Sequence, residues 1–198
     1  VNLKKWLLVG AVGIVLYVLF SSKQVELGAG VYAPEEPRQE LINAATPFQH
    51  RGFKVKPLAE FDITAKVIRR EDYRYDQGAA ISPMDLALGW GRMSDEAVLE
   101  QINFSQSGRW YRYRYQSAPI PQKEIETHSA NMHMIPAESW IQDDLEDISA
   151  GQVVRIRGKL VEVSKDDGWK WRSSLRRDDT GNGACELVYV ESVEIILD

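Results

Sequence analysis

The feature that most constrains this 198-residue chain is its opening, VNLKKWLLVGAVGIVLYVLFSSKQ. From Trp6 to Phe20 no side chain is charged or strongly polar. Leu3, Ser21 and Ser22 extend the run to roughly 17 residues, the lower limit for a helix that crosses a bilayer. A cleaved signal peptide shares the charged start and apolar middle. It also needs small residues flanking the cut, and Phe20 spoils the place where the run ends. The expectation is therefore a retained signal anchor over residues 1–22. Lys4 and Lys5 precede the run and only Lys23 follows closely, so the N-terminus is expected in the cytoplasm. A bacterial-type inner membrane with a periplasmic body follows. Trp6 and Tyr17 fall where interface anchors sit, and Gly10 and Gly13 leave room for a neighbouring helix.

Residues 23–57 read as a Pro-rich extended tether, because Pro34, Pro37, Pro47 and Pro57 interrupt regular structure. Val31, Tyr32, Leu41, Ile42 and Phe48 are dispersed through it, so it is expected to lie along a surface, its own domain's or a partner's. The body is expected over 58–198. FDITAKVIRR alternates as a strand does. In SPMDLALGW, Ser82, Pro83 and Asp85 match a helix start and Gly89 a helix end. SDEAVLEQI repeats that logic with Ser94 as the cap. RWYRYRYQ is a strand by propensity, with Trp110, Arg112 and Arg114 on one face and Arg109, Tyr111, Tyr113 and Tyr115 on the other. AESWIQDDLEDI is an amphipathic helix. QVVRIRGKLVEVS, WKWRSSLR and CELVYVESVEIIL are three strands, the first two joined by a tight turn through Asp167 and Gly168. The expected fold class is α+β, mainly β. A single N-terminal transmembrane helix precedes a small, partly open antiparallel β-barrel with short helical insertions, which resembles an OB-fold in architecture.

Composition removes several functions. The formal net charge is -5, and an acidic chain is a poor partner for nucleic acid, whose phosphates need Lys and Arg. Cys185 is the only cysteine, which excludes an intrachain disulfide and a CxxC redox pair. In THSANMHMIPAESW, His128 and His133 are five apart. Their side chains diverge by about 140° on a helix and fall on opposite faces of a strand. Neither chelates one ion, and Cys185 with a carboxylate would have to complete a tetrahedral set. The segment reads as a loop edge, and no metal or cofactor is expected. Cys185 reads as a small buried hydrophobe. No GxSxG elbow and no phosphate loop is present.

The remaining candidates are binding residues: Trp110, Arg112, Arg114, Trp169 and Trp171 in the body, and Tyr32 and Phe48 in the tether. A thin catalytic inventory beside a rich interface inventory points to a non-enzymatic, membrane-anchored periplasmic accessory subunit. It would meet the lipid bilayer and an integral membrane protein complex through the span and tether, and would stabilise or assemble that complex. Two alternatives stand beside it. One is an anchored metal-dependent hydrolase using His128, His133 and acids near Asp178 or Asp179. The other is a small-ligand or glycan-binding module, which a deep pocket lined by Trp110, Trp169 or Trp171 would favour.

Overall fold

Strand β3, Phe53–Asp72, organises the fold. Over residues 54–66 it pairs antiparallel with β8, Val153–Ser164, and over 66–72 with β4, Met84–Gly89. Lys66 is the changeover, opposite Val153 on one side and Gly89 on the other. β4 pairs antiparallel with β7, Ser129–Pro136, and β7 pairs parallel with β10, Glu186–Leu197. β10 returns antiparallel to β8 and completes a ring. Two short strands, β1 (Arg38–Leu41) and β2 (Phe48–His50), add to β3, and β9 (Lys170–Arg172) adds to β8. A separate hairpin joins β5, Asn103–Ser107, to β6, Trp110–Arg114. The helices are short: α1 (Glu96–Leu99), α2 (Gln122–Thr127) and α3 (Ser139–Glu146). The computed structural model describes residues 24–179, 181 and 184–198.

Several expectations are corrected. The span over 1–22, with Trp6, Gly10, Gly13 and Tyr17, lies outside the described residues. Among the described residues no helix is long and apolar enough to cross a membrane. The signal anchor, the inner-membrane location and the transmembrane helix of the expected fold class therefore lose their support. The expected antiparallel barrel is also replaced. The sheet ring is not a true barrel, and it contains a parallel pair. Parallel neighbours cannot be joined by a hairpin, so the chain passes through α3, β8 and β9 before β10 returns beside β7. Alternation along the chain marks strands but carries no information on which strands pair or in which direction.

Met84–Gly89 is a strand and not a helix, with all six residues buried. His133 lies in β7 and not in a loop. Both strands are covered on two sides. Met84, Leu86, Leu88, Met132 and Met134 face the ring's core, with Trp90 packed among them. On the opposite face, Ala87 clusters with Met93 and Ile125, and Phe104, Tyr111 and Tyr113 from the β5–β6 hairpin pack against them. A strand buried on both faces shows no alternation, and the Ser-Pro start of SPMDLALGW then imitates a helix cap. The boundary expected at 57/58 falls inside β3.

Residues 24–33 run against the turn before α1. Ser94 Oγ accepts from the backbone N–H of Tyr32 and Ala33 at 3.1 and 3.0 Å. Asp95 Oδ1 accepts from Gly30 at 2.9 Å and also caps α1 through Ala97, a role expected of Ser94. Glu96 Oε2 accepts from Leu27 and Gly28 at 2.8 and 2.9 Å. Gly151, with φ +96°, lies beneath this strap, and a Cβ there would sit 1.8 Å from the Val25 carbonyl oxygen.

Candidate functional site

The β4–β7 register sets Asp85 opposite His133. Side chains directly opposite in an antiparallel pair share a face, here the outer one. Asp85 is fully buried, and a buried carboxylate needs donors. The β5–β6 hairpin supplies the main one. Its two-residue turn is Gly108-Arg109, with φ 58° and 70°, the left-handed pair that matches strand twist. This turn sends the Arg109 side chain back over β4. Its Nη1 donates to Asp85 Oδ1 at 2.8 Å, while Nε and Nη2 donate to Asp76 at 3.0 and 2.9 Å. Asn131 Nδ2 donates to Asp85 Oδ2 at 3.2 Å, and its Oδ1 accepts from Gln106 Nε2 at 2.6 Å. His133 Nδ1 lies 2.8 Å from Asp85 Oδ1 but out of line for a hydrogen bond.

Aromatic rings close over this polar layer. The Arg109 guanidinium lies 3.7 Å from the Tyr73 ring centroid and 5.5 Å from that of Trp171. Burial pushes the Tyr73 phenol up to about 12, so it stays neutral. Burial also pushes the Asp76 carboxyl up, but Arg109 and the backbone N–H groups of Ala79 and Gly78 outweigh it and hold it low. Trp171 stands 4.5 Å from His133 and 6.1 Å from Trp169, centroid to centroid. Arg109, Trp110, His133, Trp169, Lys170 and Trp171 are among the walls of a cavity of about 390 Å³. Trp110 and Cys185 also border a second cavity of about 280 Å³, with Tyr111, Asn131, Arg177 and Glu186.

Cys185 is a poor nucleophile in this setting. Burial first, then the nearby carboxylates of Glu186, Asp85 and Asp179, push its thiol up to about 12. Only a thiolate attacks readily. Native protein at mildly alkaline pH is therefore expected to react with iodoacetamide more than about tenfold more slowly than unfolded protein. Mass spectrometry of timed samples reads this, and equal rates would refute the assignment.

The structure brings together Trp110, Trp169 and Trp171 but not the other candidates. Arg112 and Arg114 point outward from β6 and line neither cavity. Tyr32 belongs to the strap, where its hydroxyl donates to the Leu27 carbonyl and Lys66 Nζ sits 5.3 Å from its ring centroid. Phe48 packs edge-on against Tyr189 at 5.1 Å. The two histidines serve different carboxylates: His128, at the end of α2, has Nε2 2.8 Å from Glu36, and His133 meets Asp85. Among the described residues no three His, Cys, Asp or Glu side chains group to hold a metal ion. Asp76, Asp85, Arg109, Asn131 and Glu186 were not singled out as site residues by sequence reasoning. The usable signal was Gly108-Arg109, a two-residue turn between strands whose second residue carries a long charged side chain.

Comparison with known proteins returns no matching family model, no matching curated protein and no matching solved structure.

Proposed function

We propose that the protein is a non-catalytic binding module that holds a small ligand with a ring-shaped apolar face, of the sugar type, between Trp110, Trp169 and Trp171. One observation carries the reading. Three tryptophans from two distant parts of the chain, Trp110 at the β5–β6 turn and Trp169 and Trp171 at β9, line one cavity of about 390 Å³ whose polar side is fixed by the Arg109–Asp85–Asp76 network. That volume falls within the range of small-ligand sites. The C–H edges of a sugar ring carry partial positive charge and suit the negative face of an indole. Its hydroxyls have Asp76, Lys170 and Arg109 within the same walls. Polar groups already held in place lose little freedom when a ligand arrives. The assembly role expected first depended on the span and the tether. The span has no support, and Tyr32 and Phe48 are engaged by the protein's own body.

Titration with a panel of mono- and disaccharides, followed by tryptophan fluorescence and calorimetry, tests the reading. A saturable blue shift is expected for at least one neutral sugar. Trp171→Ala is expected to weaken that binding by about tenfold or more, the loss typical of a central aromatic contact. The absence of any saturable response across the panel would overturn it.

A further inference from the structure

We infer that the outer face of the β5–β6 hairpin extends the sugar site into a track for an acidic saccharide chain, one whose rings carry carboxylates as uronates do. This rests on the sugar-type reading above. The antiparallel register sets Ser107 opposite Trp110, Ser105 opposite Arg112 and Asn103 opposite Arg114. Directly opposed side chains share a face, as do alternate residues of one strand. These six therefore form two parallel files on one face, and all six are exposed. The other face is held from behind. Phe104, Tyr111 and Tyr113 pack against the body there, and Gln106 donates to Asn131 at 2.6 Å. Trp110 both heads the outer file and stands in the wall of the tryptophan cavity. A ring held in that cavity has the arginine file as its neighbour. From Trp110 to Arg114 the file runs about 14 Å, at about 3.4 Å per residue.

Charge selects the occupant. Neither file contains an acidic residue. The chain has 29 Asp and Glu against 24 Lys and Arg, and exposed arginines elsewhere draw on that surplus. Arg92 meets Glu124, Arg172 meets Glu162 and Arg176 meets Asp178. Arg112 and Arg114 meet no carboxylate among the described residues, and residues 1–23, 180, 182 and 183 contain no Asp or Glu to supply one. Glu100 shares an open depression with Arg114 but forms no ion pair with it. In the cavity wall Lys170 is a further cation without a carboxylate partner among the described residues. A guanidinium takes a carboxylate through two parallel N–H donors. Asn103, Ser105 and Ser107, one strand away, are placed to bond ring hydroxyls. A neutral chain would leave both guanidiniums as they are. An acidic peptide would meet them but bring no sugar ring to the tryptophans.

Calorimetry tests this on the wild-type protein and on the double variant Arg112→Gln/Arg114→Gln. The probes are a galacturonate oligomer long enough to cover the track, the same oligomer fully methyl-esterified, and a glutamate oligopeptide. At about 0.01 M salt the acid oligomer is expected to bind about fivefold more tightly than its ester, the modest combined effect of two exposed charge pairs. The preference should vanish at about 1 M salt, where the Debye length is about 3 Å. The double variant should lose it at low salt while binding the ester unchanged. In wild-type NMR spectra the Nε–H signals of Arg112 and Arg114 should shift with the acid oligomer and not with the ester, a readout that needs no variant. Equal affinity for acid and ester, or a preference that survives in the double variant, would overturn the track and leave the sugar reading standing. Binding of the acid oligomer alone, lost in the double variant, would support the track and remove the neutral-ring contact. Arginine-dependent binding of the peptide with neither saccharide bound would overturn both and give the face to an acidic protein segment. No response to any probe would also overturn both.

Discussion

Glu96→Ala is expected to lower the free energy of unfolding by about 3–5 kcal/mol, the loss seen when one partner of a buried ion pair is removed. Lys66 lies where β3 leaves β8 for β4, and its side chain is 2% exposed. Its charged neighbour is Glu96 Oε2 at 3.1 Å, and the Tyr32 ring stands 5.3 Å away. Without the carboxylate, the ammonium stays in the sheet with that ring as its one partner among the described residues. The same change strips the acceptor from the backbone N–H groups of Leu27 and Gly28. Lys66→Met is expected to cost less, because Glu96 keeps both N–H donors. Urea unfolding at neutral pH measures the two losses, with midpoints falling at an unchanged slope. The Glu96→Ala melting temperature should drop by about 10 °C, at about 2–4 °C per kcal/mol for a chain of this size. Proteolysis within residues 24–33 should accelerate in Glu96→Ala alone. A loss under about 1 kcal/mol would show that Lys66 and the strap are not held in this way.

The strap also shows what was legible in the sequence. Pro34 and Pro37 interrupt regular structure just before β1, but extended chain is not free chain. What ties 24–33 down is a run of side-chain acceptors, Ser94, Asp95 and Glu96, more than 60 positions away. Those residues read as a helix start, and Asp95 does cap α1 while its neighbours hold the strap. The strand β8 was readable because its inner and outer faces differ along most of its length, β10 was readable by its run of β-branched and aromatic residues, and the Asp167-Gly168 turn joins β8 to β9. β4 and β7 were not, because the β5–β6 hairpin covers their outer face and erases the alternation. The site suffers from the same cause. Asp85 and His133 looked like a helix cap and a loop residue because their burial depends on Arg109, which arrives from the hairpin. The tryptophans were visible as faces, but their convergence is a property of the ring and its edge strand.

Glu186→Gln is expected to change the pH dependence of stability by about 3 kcal/mol. Burial, opposed by the Arg177 charge, pushes the Glu186 carboxyl up from 4.5 to about 7. Between those values the folded chain binds a proton that the unfolded chain has released. Stability therefore falls as pH rises through this window. The contribution is fully present below about pH 4.5 and gone above about pH 7, and at about 1.4 kcal/mol per pH unit it amounts to about 3 kcal/mol. Gln keeps the shape and an acceptor for Arg177 but does not titrate. Urea unfolding of both proteins from about pH 4.5 to about pH 8 reads the effect as the difference between the curves. The difference matters because other groups titrate in the same window. His50, lowered first by burial and then by Arg51, has the opposite sign: it lends stability above its unfolded value that is lost as pH falls through its folded one. Both proteins contain it, so it cancels. The variant should gain on the wild type steadily as pH rises, and most at the alkaline end. A difference that stays flat would mean that Arg177 keeps Glu186 ionised throughout.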